Sequence, residues 1–151
     1  MQILSTSLKE TQEIGEHIAC LLKEGDVIAL FGDLGSGKTI LAQSIIRALE
    51  VKEEYIISPS FVLIRDYQGK FKINHLDLYR LHFLEELLEL GYEDYFYSKE
   101  GIVIIEWAQK VKELLPQDYL KIVLKIKGEF KRSIKIEGMG EGFKKRLKKK
   151  F

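Results

Sequence analysis

Residues 30–42 read Leu-Phe-Gly-Asp-Leu-Gly-Ser-Gly-Lys-Thr-Ile-Leu-Ala, and within them Gly32 to Thr39 has the form G-x-x-x-x-G-K-T. Phosphate oxygens need many hydrogen-bond donors close together. Backbone amides can supply them where no side chain blocks the approach, and Gly35 and Gly37 remove that obstacle. Successive amides then form a concave anion nest, to which a following helix adds its positive end. Lys38 is placed to reach β- and γ-phosphates, and the Thr39 hydroxyl to bind Mg²⁺. The context agrees. "DVIALF" (26–31) is a short apolar run with β-branched members, which suits a buried strand. Beyond the glycines, Leu41, Ile45, Ile46 and Leu49 share one helical face. The candidate nucleotide-binding residues of this strand–loop–helix unit are Asp33, Leu34, Gly35, Ser36, Gly37, Lys38, Thr39 and Ile40.

Other elements follow outward from that unit. Ser7-Leu-Lys-Glu10 has the S-x-x-E form of a capping box, and Ile14, Ile18, Leu21 and Leu22 predict an amphipathic helix over 8–23, ended by Gly25. Residues 60–79 predict two strands joined near Gln68-Gly69-Lys70. A short helix over 83–91 is closed by Gly91. "GIVIIEW" (101–107) predicts a second buried strand, and residues 108–115 a helix stopped before Pro116. Residues 119–138 predict a second hairpin turning near Gly128-Glu129, and a short basic helix follows. The expected assembly is an α/β fold of the P-loop NTPase type, a mixed sheet with helices on both faces in three layers. The reading is of a single domain over 1–151, with a basic tail at about 141–151.

Apolar residues are 46% of the 151 and charged residues 31%, a balance that fits a soluble globular fold. The lone cysteine, Cys20, excludes an internal disulfide, fits a reducing cytoplasm and is expected to be buried on its helix. No apolar run approaches the roughly 18–20 residues of a membrane span. The net charge of +1 hides an asymmetry: residues 144–150, "KKRLKKK", hold only basic residues and one leucine. A basic tail on an acidic body suits a polyanion or an acidic partner surface, though a solvated, frayed end is the favoured reading.

A phosphate loop of this kind works with a second acidic group at the end of a neighbouring strand. Glu106 follows Ile102 to Ile105, so the strand presents it at a sheet end, where it can hold Mg²⁺ directly or through water. Asp77, in "HLDLY", can orient the attacking water, act as a base or support the metal. The candidate catalytic residues are thus Lys38, Asp77 and Glu106, with Thr39 and Glu106 as metal ligands. In "SPS" (58–60), Ser58 or Ser60 offers a hydroxyl to sense the γ-phosphate. Thr6, Thr11 and Arg132 are candidates for contacting the base. His75 is expected to pack or hydrogen-bond beside Asp77, and Trp107 to form core or a wall of the site.

No N-K-x-D string occurs, which disfavours guanine nucleotides and prefers ATP. A small-molecule kinase carries an arginine-rich lid, whereas residues 80–100 hold a single arginine among many acids. A switching ATPase is favoured over a metabolite kinase, which stays the alternative. A nucleic-acid-binding role for the tail is compatible with either.

Four separated strings, "GDLGSGKT", "SPSFVLIRDY", "HLDLYRL" and "IIEWAQK", together resemble the signature blocks of the TsaE family, in order, spacing and total length. The resemblance implies a weak Mg²⁺-dependent ATPase needed for N6-threonylcarbamoyladenosine formation at position 37 of tRNA, working with TsaD-like and TsaB-like proteins. It implies ATP or ADP and Mg²⁺ as ligands, Thr39 and Glu106 at the magnesium positions, and Asp77 in hydrolysis. The chain departs from the family in three places. Ser60 stands where threonine is usual, Ser36 where alanine is frequent, and Gln109 where an acid is frequent.

Overall fold

Strand β2 (Val27–Phe31) is buried at every residue, as the continuous apolar run requires. The computed structural model describes residues 1–53, 55–56 and 63–150, and β2 lies in the middle of its sheet. Its parallel neighbours are β5 (Ile102–Glu106) on one side and β6 (Tyr119–Ile126) on the other. Strand β4 (Lys72–Asp77) runs parallel to β5, and β3 (Ile64–Gln68) pairs antiparallel to β4. Beyond β6 lie β7 (Arg132–Met139) and β1 (Gln2–Ser5), each antiparallel to its neighbour. Among the described residues the order is β1-β7-β6-β2-β5-β4-β3.

Strand periodicity divides the core into two layers. Ile28 and Leu30 pack with Ile18 of α1 (Leu8–Ala19), Leu41 and Ile45 of α2 (Lys38–Ala48) and Phe143 of α5 (Glu141–Lys150). Val27, Ala29 and Phe31 face the other way, toward Leu87 of α3 (Leu84–Leu90), Phe96 of α4 (Glu93–Phe96) and Val111. Helices therefore cover both faces. The carboxyl ends of β2, β4, β5 and β6 form one edge, and the glycine loop leaves β2 there.

Several expectations need correction. Strand β1 was not legible as a strand. Cys20 is exposed: it caps α1, about 200° around the helix from buried Ile18. Residues Ala108–Leu114 form a 3₁₀ segment rather than an α-helix, kinked at Val111. Its buried Ala108 and Val111 are three apart, the spacing that stacks on a 3₁₀ helix. The basic end is not frayed. Phe143 is buried, and the Arg146 guanidinium grips the Asp26 carboxylate at 2.6 and 2.7 Å while donating to the Leu21 carbonyl. Asp26 precedes β2, so α5 lies at the edge opposite the glycine loop. Ser58, Pro59 and Ser60 lie outside the described residues.

Candidate functional site

The glycine loop is held open by backbone geometry. Gly35 has φ +75° and Gly37 φ +103°, conformations that L side chains rarely adopt. Gly37 is the N-cap of α2 and provides no side-chain cap, so the first-turn amides of that helix remain available to an anion.

Lys38 is buried, with 4% exposure, and its Nζ donates to the Gly32 and Asp33 carbonyls at 2.7 Å each. The ammonium also lies 4.0 Å from the centroid of the Trp107 ring. Burial pushes this lysine below its ordinary value, against the pull of the Glu106, Asp77 and Asp33 carboxylates. Gln109 donates to the same Gly32 carbonyl at 2.9 Å, a bond an ionised acid could not make.

Asp77 and Glu106 stand side by side, since the β4–β5 register pairs them at the strand ends. The Thr39 hydroxyl donates to Glu106 Oε1 at 2.6 Å. His75 Nε2 meets Glu106 Oε2 at 2.6 Å, so His75 is buried and hydrogen-bonded on the strand face it shares with Asp77, as expected, with Glu106 as its partner. Asp77 Oδ1 accepts from the Tyr79 amide at 3.0 Å. Trp107 turns out of β5 through a left-handed backbone (φ +61°), a strained conformation for a bulky side chain, and this directs the chain beyond Glu106 around the loop.

These groups line a cleft of about 570 Å³. Its wall includes Leu34, Gly35, Ser36, Gly37, Lys38, Thr39 and Ile40, with Asp77, Glu106, Thr11 and Arg132. Asp33 is not in that wall, although its carbonyl holds Lys38. Thr11 Oγ1 lies 2.8 Å from Ser5 Oγ, and Arg132 donates to the Gly35 carbonyl at 3.2 Å, so both also brace the structure. Thr6 is absent from the cleft and instead bonds the Glu10 carboxylate through its amide and hydroxyl. That bond is what holds Glu10 below its usual range. Sequence reasoning missed Leu8, Tyr79 and Phe130, which also line the cleft. Phe130 is 70% exposed at the tip of the β6–β7 hairpin, and an aromatic residue in so polar a turn was the available signal.

The sheet, the uncapped helix after β2 and the carboxylates on neighbouring strand ends define a P-loop NTPase-type fold. Comparison with known proteins narrows the class. The family model described as "Threonylcarbamoyl adenosine biosynthesis protein TsaE" matches residues 5–134, and the chain belongs to that family. The TsaE of Bacillus subtilis is 35% identical over 136 residues, covering 89% of this chain and 84% of the relative. That of Rickettsia prowazekii is 39% identical over 127 residues, covering 83% and 87%. A crystal structure of Bacillus subtilis YdiB superposes with a TM-score of 0.82 at 30% identity, covering 99% of this chain and 92% of that one. The family belongs to the biosynthesis of threonylcarbamoyladenosine, a tRNA modification.

Proposed function

We propose that this chain is a Mg²⁺-dependent ATPase with weak intrinsic turnover. It serves threonylcarbamoyladenosine formation at position 37 of tRNA by driving or resetting a complex of TsaD-like and TsaB-like proteins. One observation carries the reading: a buried lysine and the uncapped amides of α2 converge on one cleft with the Thr39–Glu106 pair. Its volume suits a nucleotide.

In this reading the amides of residues 35–39 hold the phosphates and Lys38 exchanges its carbonyl partners for phosphate oxygens. Gln109 keeps the Gly32 carbonyl satisfied when Lys38 leaves. Thr39 and Glu106 offer hydroxyl and carboxylate oxygens, a donor set that suits Mg²⁺. Bound there, the metal would neutralise charge on the β- and γ-phosphates. Asp77 is placed to orient a water for attack. Thr11, Arg132 and the apolar Leu8 and Phe130 are the groups available to the nucleoside, and Ser60 is proposed as a γ-phosphate sensor. The exposed lysines of α5, at the far edge from the cleft, are proposed to reach tRNA phosphates. This role belongs in the cytoplasm. Among the described residues no helix is long and apolar enough to cross a membrane.

The test is an ATPase assay with and without purified TsaD–TsaB complex. Slow hydrolysis alone and faster hydrolysis with the complex support the reading. Partner-independent phosphorylation of a small metabolite would favour the kinase alternative.

A further inference from the structure

We infer that His75 is a positioning residue that aims the Glu106 carboxylate at the metal's seat. The inference rests on the Mg²⁺-nucleotide reading of the cleft. His75 lies on β4, one strand in from the sheet edge, with no exposed surface, on the same strand face as Ile73 and Asp77. An isoleucine would fill such a place more cheaply, as Ile73 does on the same strand and Ile104 on the neighbouring one. A histidine must justify its polar atoms. Its Nε2 does so at 2.6 Å from Glu106 Oε2. An ionised carboxylate only accepts, so the proton is assigned to Nε2. Among the described residues Nδ1 is buried without a hydrogen-bond partner. The fold thus carries a costly unsatisfied polar atom in exchange for one bond to Glu106.

That bond fixes what Glu106 can do. A glutamate side chain has rotamers to lose on ordering, and Lys38 is a rival for the carboxylate. With Oε2 taken by His75, Oε1 is the atom turned to Thr39, whose hydroxyl donates to it at 2.6 Å. Both protein oxygens offered to the metal are therefore set before nucleotide arrives. Partners that orient a metal ligand in this way are worth about 10–100-fold in metal affinity.

The test titrates Mg²⁺ against the binding of a fluorescent N-methylanthraniloyl-ATP, with parallel titrations in EDTA. His75→Leu removes the donor. His75→Asn cannot reach Oε2 and replaces it should the leucine variant fail to fold. His75→Gln puts an amide N–H near the Nε2 position. The inference expects the Mg²⁺ half-saturation point to rise about tenfold in His75→Leu and His75→Asn and to return to within about threefold of wild type in His75→Gln, with binding in EDTA unchanged within about twofold throughout. A folded His75→Leu or His75→Asn with the wild-type Mg²⁺ requirement overturns it. So does an equal loss of binding with and without Mg²⁺, or a His75→Gln as impaired as His75→Leu, since either reduces His75 to packing. A wild-type protein whose nucleotide affinity ignores Mg²⁺ fails at an earlier point, removing the reading of the cleft and the role of His75 together.

Discussion

Replacing Gly37 with alanine tests the loop's geometry with a single methyl group. The residue has φ +103° and ψ +12°. An added Cβ would meet only the Leu124 Cδ2 methyl, at 3.6 Å, which is ordinary contact. The penalty is therefore backbone strain, about 1–2 kcal/mol for an L-residue held in the left-handed region. For a chain of this size that corresponds to a fall in Tm of about 2–8 °C. Relief of the strain rotates the peptide that opens α2 and re-aims its first amides, so ATP affinity should drop by about tenfold or more. Urea denaturation, read as a shift in midpoint at constant slope, measures the first effect, and calorimetric ATP titration the second. Gly128→Ala is the control. Its new Cβ would come no closer than 3.5 Å to Lys131, and the position has no positive φ. Gly37→Ala with wild-type stability and wild-type affinity would refute the proposed conformation of the loop.

Other perturbations separate the roles within the site. Asp77→Asn is expected to lower turnover by about a hundredfold while ATP still binds, and unchanged turnover in a steady-state assay removes Asp77 from the chemistry. Glu106→Ala should weaken Mg²⁺-supported binding far more than binding in EDTA, and equal losses would make Glu106 structural. Arg146→Ala leaves the buried Asp26 carboxylate without its guanidinium partner. Arg146 keeps 21% of its side chain exposed, so the cost should be about 2 kcal/mol, less than the ~3–5 of a fully buried pair. Hydrogen exchange should then show α5 losing protection before the sheet, and a uniform response across the fold would contradict the anchoring role.

Features set by local chemistry were the legible ones. The glycine loop was readable because its function imposes glycine, lysine and threonine at fixed spacing, and β2 and β5 because strands buried on both faces need unbroken apolar runs. Asp77 and Glu106 could be placed at strand ends, but their alignment depends on β4–β5 register, which neither segment encodes alone. The His75–Glu106 bond joins those same two strands and was hidden for the same reason. Strand β1 is a four-residue edge strand whose pairing with β7 comes from the other end of the chain. Trp107 was read as core or wall, but its left-handed backbone has no local sequence mark, since propensity alone opposes it. Cys20 was misplaced because its position falls about 200° around α1 from buried Ile18, on the solvent side.

Calorimetric titration of Mg·ATP into the folded protein, beside Lys38→Ala, addresses the cleft most directly. Saturable heat at one site in wild type, lost in the variant, is the result expected of a lysine and an uncapped helix start gripping a triphosphate. Absence of any heat of association in well-folded wild type, or wild-type binding by Lys38→Ala, would contradict it.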